Sequence, residues 1–233
     1  MKKLSAVALT IIILVFVFGA CKHTPPDQIV PPPASGGGGG GTGNTTVCFE
    51  TEILPIFQSN CAKSGCHDAI THEKDYIFDS YANIIRKGIV FGNATNSEVY
   101  EVLFETGNDK MPPAPNPDLT PAQKALIGKW INEGAVNTTN CGTSCDTAQF
   151  KYGANISLIM SNYCTGCHGG TAPSANINLS THAGVSAQAT NGRLTGAITH
   201  TAGYSPMPKN AAKLSECQIT QVKNWVAAGA PNN

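Results

Sequence analysis

The sequence predicts an all-α fold in which two small, similar modules with long loops follow one another, at about residues 47–140 and 141–233. Two patterns occur once in each half: a pair of cysteines followed at once by a histidine, and a capped helix that carries a tryptophan. The alternation of apolar and polar residues that is typical of strands is scarce in both halves. This repeat favours two copies of one helical module over a single larger domain.

The first 20 residues read as an export signal. Two lysines precede an apolar run over residues 4–18, and the run ends in two small residues ahead of Cys21. A transmembrane anchor is the alternative, but the run is shorter than the roughly 20 residues that span a bilayer. Cys21 stands where a bacterial lipobox carries its lipid, and Lys22 replaces the Asp associated with inner-membrane retention. We therefore expect an outer-membrane lipoprotein of the cell envelope, facing the periplasm or the exterior.

Residues 21–46 are rich in proline and then in glycine. The proline half predicts a stiff spacer and the glycine half a flexible coil. The segment is thus predicted to be a lipid-anchored linker that tethers the two modules to the membrane.

Each module is predicted to end in an amphipathic helix. A Thr or Ser at the N-cap with Gln three residues later forms a capping box, and a glycine able to take the left-handed conformation follows the helix. The residues concerned are Thr120, Gln123, Trp130 and Gly134 in the first copy, and Ser215, Gln218, Trp225 and Gly229 in the second. The apolar spacing in each helix predicts that its tryptophan is buried.

A second correspondence lies around the cysteine pairs. The apolar segments 53–57 and 156–160 read as short helices that lead into the pairs, with Met160 in the position of Phe57 and therefore a packing residue. Further along, residues 77–81 align more weakly with residues 177–181.

The cysteine pairs are predicted to bind haem covalently. Cys164, Cys167 and His168 match C-x-x-C-H, the attachment sequence of c-type haem, in which two thiols bond the porphyrin vinyl groups and the histidine binds iron. Cys61, Cys66 and His67 form the less common variant with four intervening residues. We therefore expect two haem c groups per chain.

Two other uses of the cysteine pairs fit the sequence less well. A disulfide within the pair is possible in an oxidising compartment, but it gives the adjacent histidine no role. A structural zinc ion needs four nitrogen or sulfur ligands, and no second close cysteine pair accompanies either motif.

The sixth ligand of each iron is predicted to be a methionine on a proline-flanked loop. Met111 and Met207 both lie a few residues ahead of the final capped helix of their copy. His200 is the competing ligand in the second copy. His72 shows no distinctive pattern, and His23 and His182 are expected to be solvated.

The order of motifs in the first copy resembles the cytochrome c domain of exported proteins in Planctomycetes and Bacteroidetes. The matching positions are residues 53–57, the cysteine–histidine motif, Ser80 and Tyr81, residues 90–93 with Ser97 and Tyr100, residues 111–113, 119–121, 130–131 and 134–135. The second copy matches at its haem motif, its Met207 loop and its last helix, but its middle is shorter. The resemblance implies the class I cytochrome c fold, in which the first and last helices cross and the haem fills the core.

Of the nine cysteines, four are assigned to haem attachment and one to lipidation, so four remain. Cys48, Cys141, Cys145 and Cys217 allow three disulfide connectivities. We favour the pairs within one copy, Cys48–Cys141 and Cys145–Cys217, with a Cys141–Cys145 bridge as the rival.

Electron transfer through two His/Met-ligated haems is the predicted function, because ligands on both sides of the iron leave no position for a substrate. The alternatives are a dihaem peroxidase-like enzyme with one open iron and a binding or sensor module with haem as its scaffold. The chain is therefore expected to be a carrier rather than a catalyst, with redox proteins of the envelope as partners. Equal numbers of acidic and basic residues, 15 each, argue against nucleic acid as a partner.

Overall fold

The structure of the chain, a computed structural model, describes residues 46–139, 141 and 145–233. Within these residues the chain is helical and contains no β-strand, so the all-α class is confirmed. The signal peptide, Cys21, His23 and all of the linker but residue 46 lie outside the described residues. In the part of the chain that the structure describes, no helix is both long enough and apolar enough to cross a bilayer.

Eight α-helices are present in the described part of the chain, four in each copy. The first copy contains α1 (Leu54–Asn60), α2 (Tyr81–Ile84), α3 (Glu98–Glu101) and α4 (Pro121–Asn132). The second contains α5 (Ser157–Tyr163), α6 (His182–Thr190), α7 (Arg193–Thr199) and α8 (Glu216–Ala227). A single π-helical turn leads into α1 at Phe49–Ile53 and into α5 at Tyr152–Ile156.

The final helices α4 and α8 begin as their sequences predict. In α4 the Gln123 N–H donates to Thr120 Oγ1 (3.2 Å) and the Thr120 N–H donates to Gln123 Oε1 (2.8 Å). Ser215 and Gln218 make the same reciprocal pair at the start of α8, at 3.2 and 3.0 Å. At the start of each of these helices, two backbone N–H groups that have no partner within the helix are thereby satisfied. Both capping boxes are confirmed.

The buried apolar side chains form two clusters, one in each copy. Each cluster contains the tryptophan of the final helix and the helix that leads into the cysteine pair. Trp130 donates its indole N–H to Val136 O (3.0 Å), and Trp225 donates to Pro231 O (2.9 Å). Met160 is 1 % exposed and packs in the second core, as predicted.

Backbone hydrogen bonds correct the sequence alignment by one residue. The Phe78 N–H donates to His67 O (3.0 Å), and the Leu179 N–H donates to His168 O (2.7 Å). Phe78 therefore corresponds to Leu179, not to Asn178. The sequence alignment was wrong here because it matched Ile77 to Ile177 by residue type. In the structure, equivalent residues are those that lie the same number of positions after the histidine of each motif.

The corrected register gives His182 a role that the sequence did not predict. His182 takes the position of Tyr81: its Nε2 lies 2.9 Å from Ala230 O, as the Tyr81 hydroxyl lies 2.9 Å from Ala135 O. Its ring packs edge-on against Tyr152 and Trp225. The expectation of a solvated side chain is wrong, because the ring is half-buried against two aromatic rings.

The disulfides are the within-copy pairs. Cys48 bonds to Cys141 and Cys145 to Cys217, with Cα–Cα distances of 5.8 and 6.0 Å. The first bridge joins the start and end of its copy, and the second ties the start of its copy to α8.

The copies contact each other through α1 and α5. Among the described residues, four side-chain oxygen or nitrogen atoms donate hydrogen bonds to backbone carbonyl groups of the other copy. They are Ser59 Oγ to Asn162 O (2.7 Å), Lys63 Nζ to Gly166 O (2.9 Å), Gln123 Nε2 to Ser161 O (2.9 Å) and Tyr163 Oη to Thr51 O (3.1 Å).

Gly166, between the cysteines of the second motif, lies against the backbone at the end of α1. A Cβ atom on Gly166 would lie 2.1 Å from Ser59 O, so only glycine allows the two backbones to approach this closely. All described residues belong to one compact unit. Independent folding of residues 47–140 and 141–233 therefore stays a prediction.

Candidate cofactor sites

Each copy contains a cavity that is lined by the residues that the sequence singles out. A cavity of about 600 Å³ in the first copy is lined by Cys61, Cys66, His67 and Met111. A cavity of about 640 Å³ in the second copy is lined by Cys164, Cys167, His168 and Met207. Both volumes fall within the range of about 300–1,000 Å³ that is usual for small-molecule and cofactor sites.

The walls of both cavities are largely apolar. The first includes Phe57, Phe78, Leu103, Leu119 and Ile127, and the second includes Ile177, Leu179, Leu194, Ile198 and Leu214. Pro55, Gln58 and Ser59 of the first copy also line the second cavity, so the contact between α1 and α5 completes that wall.

The thiols at these sites are free. Among the described residues, the cysteines outside disulfides are Cys61, Cys66, Cys164 and Cys167. Burial raises the pKa of Cys61 to about 12, and burial likewise raises the pKa of Cys164 to about 12. The first thiol of each pair is therefore protonated at neutral pH. Of the second thiols, Cys66 is half-buried and Cys167 is exposed.

The backbone orients both histidines in the same way. His67 Nδ1 lies 3.2 Å from Glu73 O, and His168 Nδ1 lies 3.1 Å from Ser174 O. A carbonyl oxygen can only accept a hydrogen bond, so Nδ1 carries the proton and Nε2 keeps its lone pair. A histidine that binds a metal through one nitrogen usually donates its other N–H to such a partner. Burial also lowers the pKa of His67, which favours the neutral, ligating form.

The carbonyl groups that accept these bonds begin two unusual turns. The residues after Glu73, Lys74 and Asp75, have φ values of 52° and 62°. The residues after Ser174, Ala175 and Asn176, have φ values of 54° and 56°. Consecutive left-handed residues other than glycine are unfavourable and persist only where the surrounding structure imposes them. The same turn in both copies presents a carbonyl group to the histidine ring.

The methionine loops are held by equivalent hydrogen bonds. The Met111 N–H donates to Val102 O (2.9 Å), and the Met207 N–H donates to Ala197 O (3.1 Å). His200, the competing ligand, is exposed, is not part of the cavity lining, and places its Nε2 3.1 Å from Met207 O. In the second copy, Met207 rather than His200 lines the cavity. His72 is exposed and takes a left-handed conformation at the start of the loop that leads to Glu73.

The four-residue spacer of the first motif contacts the second motif. Lys63 lies in this spacer, and its amine donates both to Asn116 Oδ1 and to Gly166 O. Asn116 belongs to the loop after Met111, whereas Gly166 lies in the second motif. The spacer thus joins the two candidate sites directly.

Gln188 is a cavity-lining residue that sequence reasoning missed. It lines the second cavity, and its Oε1 is the buried side-chain polar atom that lacks a hydrogen-bond partner among the described residues. Leaving such an atom unpaired costs about 1–3 kcal/mol. A polar group bound in the cavity would satisfy this amide, which can present either its oxygen or its nitrogen.

The donors in both cavities fit a haem group. A haem iron takes only one or two ligands from the protein, and an imidazole and a thioether are available in each cavity. Within the described residues, no group of three or more His, Cys, Asp or Glu side chains is arranged to hold a metal ion directly. Comparisons with protein-family models, with curated proteins and with solved structures find no match to this chain.

Proposed function

We propose that the protein is a dihaem c-type cytochrome that transfers electrons in the cell envelope. The observation that carries the proposal is the repeated cavity: two free thiols, a backbone-oriented histidine and a loop methionine line one apolar space, and this occurs twice in one chain.

The proposal assigns a role to each of these residues. Cys61 with Cys66, and Cys164 with Cys167, would hold a haem through thioether bonds. His67 and His168 would bind iron through Nε2, because their Nδ1 atoms are bonded to backbone carbonyls. Met111 and Met207 would fill the opposite axial positions. Iron so ligated supplies one-electron redox chemistry, and the apolar walls exclude water from it.

The finer architecture forms part of the same proposal. We assign residues 47–140 and 141–233 to two tandem class I cytochrome c-like domains, in which the haem completes each core. Each half contains its own cysteine–histidine motif, core cluster and disulfide, and Pro55, Gln58 and Ser59 of the first half complete the wall of the second cavity. Expressed alone with a cytochrome c maturation system, each half should yield a soluble protein with one haem. If neither half accepts haem while the whole chain does, the iron ligands cross between copies.

Haem content is the direct test. Thioether bonds survive denaturation, so the pyridine hemochrome assay on denatured protein should count two haems per chain. Cys164→Ala with Cys167→Ala should leave one, and so should Cys61→Ala with Cys66→Ala. Cys48→Ser with Cys141→Ser is the matched control, because it also removes two cysteines but should keep both haems. A wild-type protein with no covalent haem would refute the proposal.

Carbon monoxide separates electron transfer from the enzyme and sensor alternatives. A methionine in each cavity predicts that both irons are ligated on both faces, so the reduced protein should not bind carbon monoxide. Binding at one iron would favour a peroxidase-like enzyme or a gas sensor instead.

The membrane location rests on the sequence alone. We propose that Cys21 carries lipid and tethers the domains to the outer membrane through residues 21–46. The protein should then incorporate a palmitate analogue and partition into detergent, and Cys21→Ser should abolish both. A Cys21→Ser protein that stays in the membrane would indicate an uncleaved anchor.

A further inference from the structure

The two copies carry opposite charge, although the chain as a whole is neutral. Residues 47–140 contain twelve acidic and seven basic side chains, a net charge of −5 with histidine neutral. Residues 141–233 contain two acidic and five basic side chains, a net charge of +3. The remaining four charged residues lie before residue 47.

The same asymmetry occurs at the cavities. The first cavity is lined by five carboxylates and two ammonium groups: Glu73, Glu98, Glu101, Glu105 and Asp109, with Lys63 and Lys74. Among the described residues, the second cavity is lined by two cations, Arg193 and Lys209, and by no carboxylate. All five carboxylates and both cations of the second cavity are exposed at the cavity rims. The net charge at the rim of each cavity therefore has the same sign as the net charge of the copy that contains it.

Charge of this kind changes the redox potential of a group bound in the cavity. An oxidised iron centre carries one more positive charge than the reduced centre, so nearby carboxylates stabilise the oxidised form and nearby cations stabilise the reduced form. The axial residues, a histidine and a methionine, are the same in both cavities. Any haem would bring the same propionate side chains to each site. The difference in surrounding charge is thus the main electrostatic distinction between the two sites.

We propose that the first copy holds the low-potential haem and the second copy the high-potential haem, so that electrons pass from the first copy to the second. This inference rests on the proposed function. In each transfer the first iron is oxidised from Fe(II) to Fe(III), the second is reduced from Fe(III) to Fe(II), and no bond forms or breaks. A one-electron donor protein reduces the first site again, and a one-electron acceptor protein oxidises the second.

The interface provides a short route for this transfer. Lys63 of the first motif bonds to Gly166 of the second, and the Cys167 sulfur lies 3.8 Å from Ser59 O. Ser59 is two residues ahead of Cys61. The attachment segments of the two sites are therefore in direct contact.

The test is a spectroelectrochemical titration of the full-length, two-haem protein at low and at high salt. We expect two midpoint potentials at low salt, separated by at least the equivalent of a tenfold equilibrium constant, about 59 mV for one electron. The separation should shrink at high salt, because the rim charges are exposed and are screened within about 10 Å at 0.1 M salt.

Charge variants assign the two potentials. Glu101→Gln with Glu105→Gln should raise the lower potential and leave the upper one unchanged. Arg193→Gln with Lys209→Gln should lower the upper potential and leave the lower one unchanged. Glu50→Gln with Glu216→Gln, and Lys151→Gln with Lys223→Gln, are the matched controls. Each removes two charges of the same sign at exposed positions outside both cavity linings and should shift either potential less.

The inference fails if the two haems share one potential, if the acidic variant moves the upper potential, or if neither cavity variant exceeds its control. The haem count on the same samples distinguishes failure of this inference from failure of the proposed function. Two haems with the wrong order of potentials refute only the direction of transfer. Absence of covalent haem refutes the proposed function as well.

Discussion

Replacing Gly166 with alanine should weaken the contact between the two copies. A Cβ atom at this position would lie 2.1 Å from Ser59 O and 2.7 Å from Asn60 Oδ1, whereas such contacts essentially never fall below 3.0 Å. The backbones of α1 and the second motif would therefore have to separate by roughly 0.9 Å, the difference between 3.0 and 2.1 Å. Overpacking of this kind costs about 1–3 kcal/mol.

The separation would also strain hydrogen bonds beside Gly166. The bonds from Ser59 to Asn162 O and from Lys63 to Gly166 O cross the interface at this point. Each contributes about 0.5–1.5 kcal/mol, so with the cost of overpacking we expect a total loss of about 2–6 kcal/mol in the free energy of unfolding. Urea denaturation followed by far-ultraviolet circular dichroism measures this loss.

Gly153→Ala is the matched control, because its Cβ would meet one backbone atom, Asn233 O, at 3.3 Å. Both variants should keep two covalent haems, which separates a packing effect from failed attachment. If Gly166→Ala unfolds within about 0.5 kcal/mol of Gly153→Ala, the range typical of harmless surface changes, the close approach of the two copies is refuted.

Three further predictions concern ligation, acid stability and the disulfides. Met111→Ala and Met207→Ala should each lower one midpoint potential and weaken the thioether-to-iron band at the red end of the ferric spectrum. Each should also allow carbon monoxide to bind to the reduced protein. Unchanged spectra would show that these methionines are packing residues. The N–H groups of Thr71, Ile70 and Gly65 hold the pKa of Asp68 below its usual value of 3.8. Asp68 therefore stabilises the fold above that pH, and this stabilisation is lost as the pH falls through the lowered pKa. The thermal midpoint of Asp68→Asn should fall less steeply below about pH 4 than that of the wild type, and parallel curves would contradict this role. Cys48→Ser with Cys141→Ser opens a loop of 93 residues and should cost about 2–5 kcal/mol in urea unfolding; an unchanged midpoint would show that the bridge adds no stability.

Local patterns predicted the parts of the structure that depend on nearby residues. The capping boxes of α4 and α8 are formed by residues three apart, and the tryptophans are buried because helical spacing puts them on the apolar face. The sequence also ranked Met207 above His200 from its proline-flanked loop, and Met207 is the residue that lines the cavity.

Features that depend on distant residues could not be predicted in the same way. The role of His182 follows from its contacts with Tyr152 and Trp225, which the chain brings together only on folding. Glycine between two cysteines carries no signal that another backbone will pack against it, so the position of Gly166 was not anticipated. The opposite charges of the two copies were present in the sequence, but a sum over the whole chain cancels them.

The contact between Lys63 and Gly166 also bears on how such motifs can be exchanged. In the proposed function a haem would be held by the two thiols and the histidine of each motif, and for that purpose the two segments are interchangeable. They are not interchangeable at the contact between the copies. One segment carries Lys63, which donates a hydrogen bond, and the other carries Gly166, whose carbonyl group accepts it and whose lack of a side chain allows the close approach. A graft that moved either segment into the other position would keep both haem attachment sequences and still lose the fit between the copies.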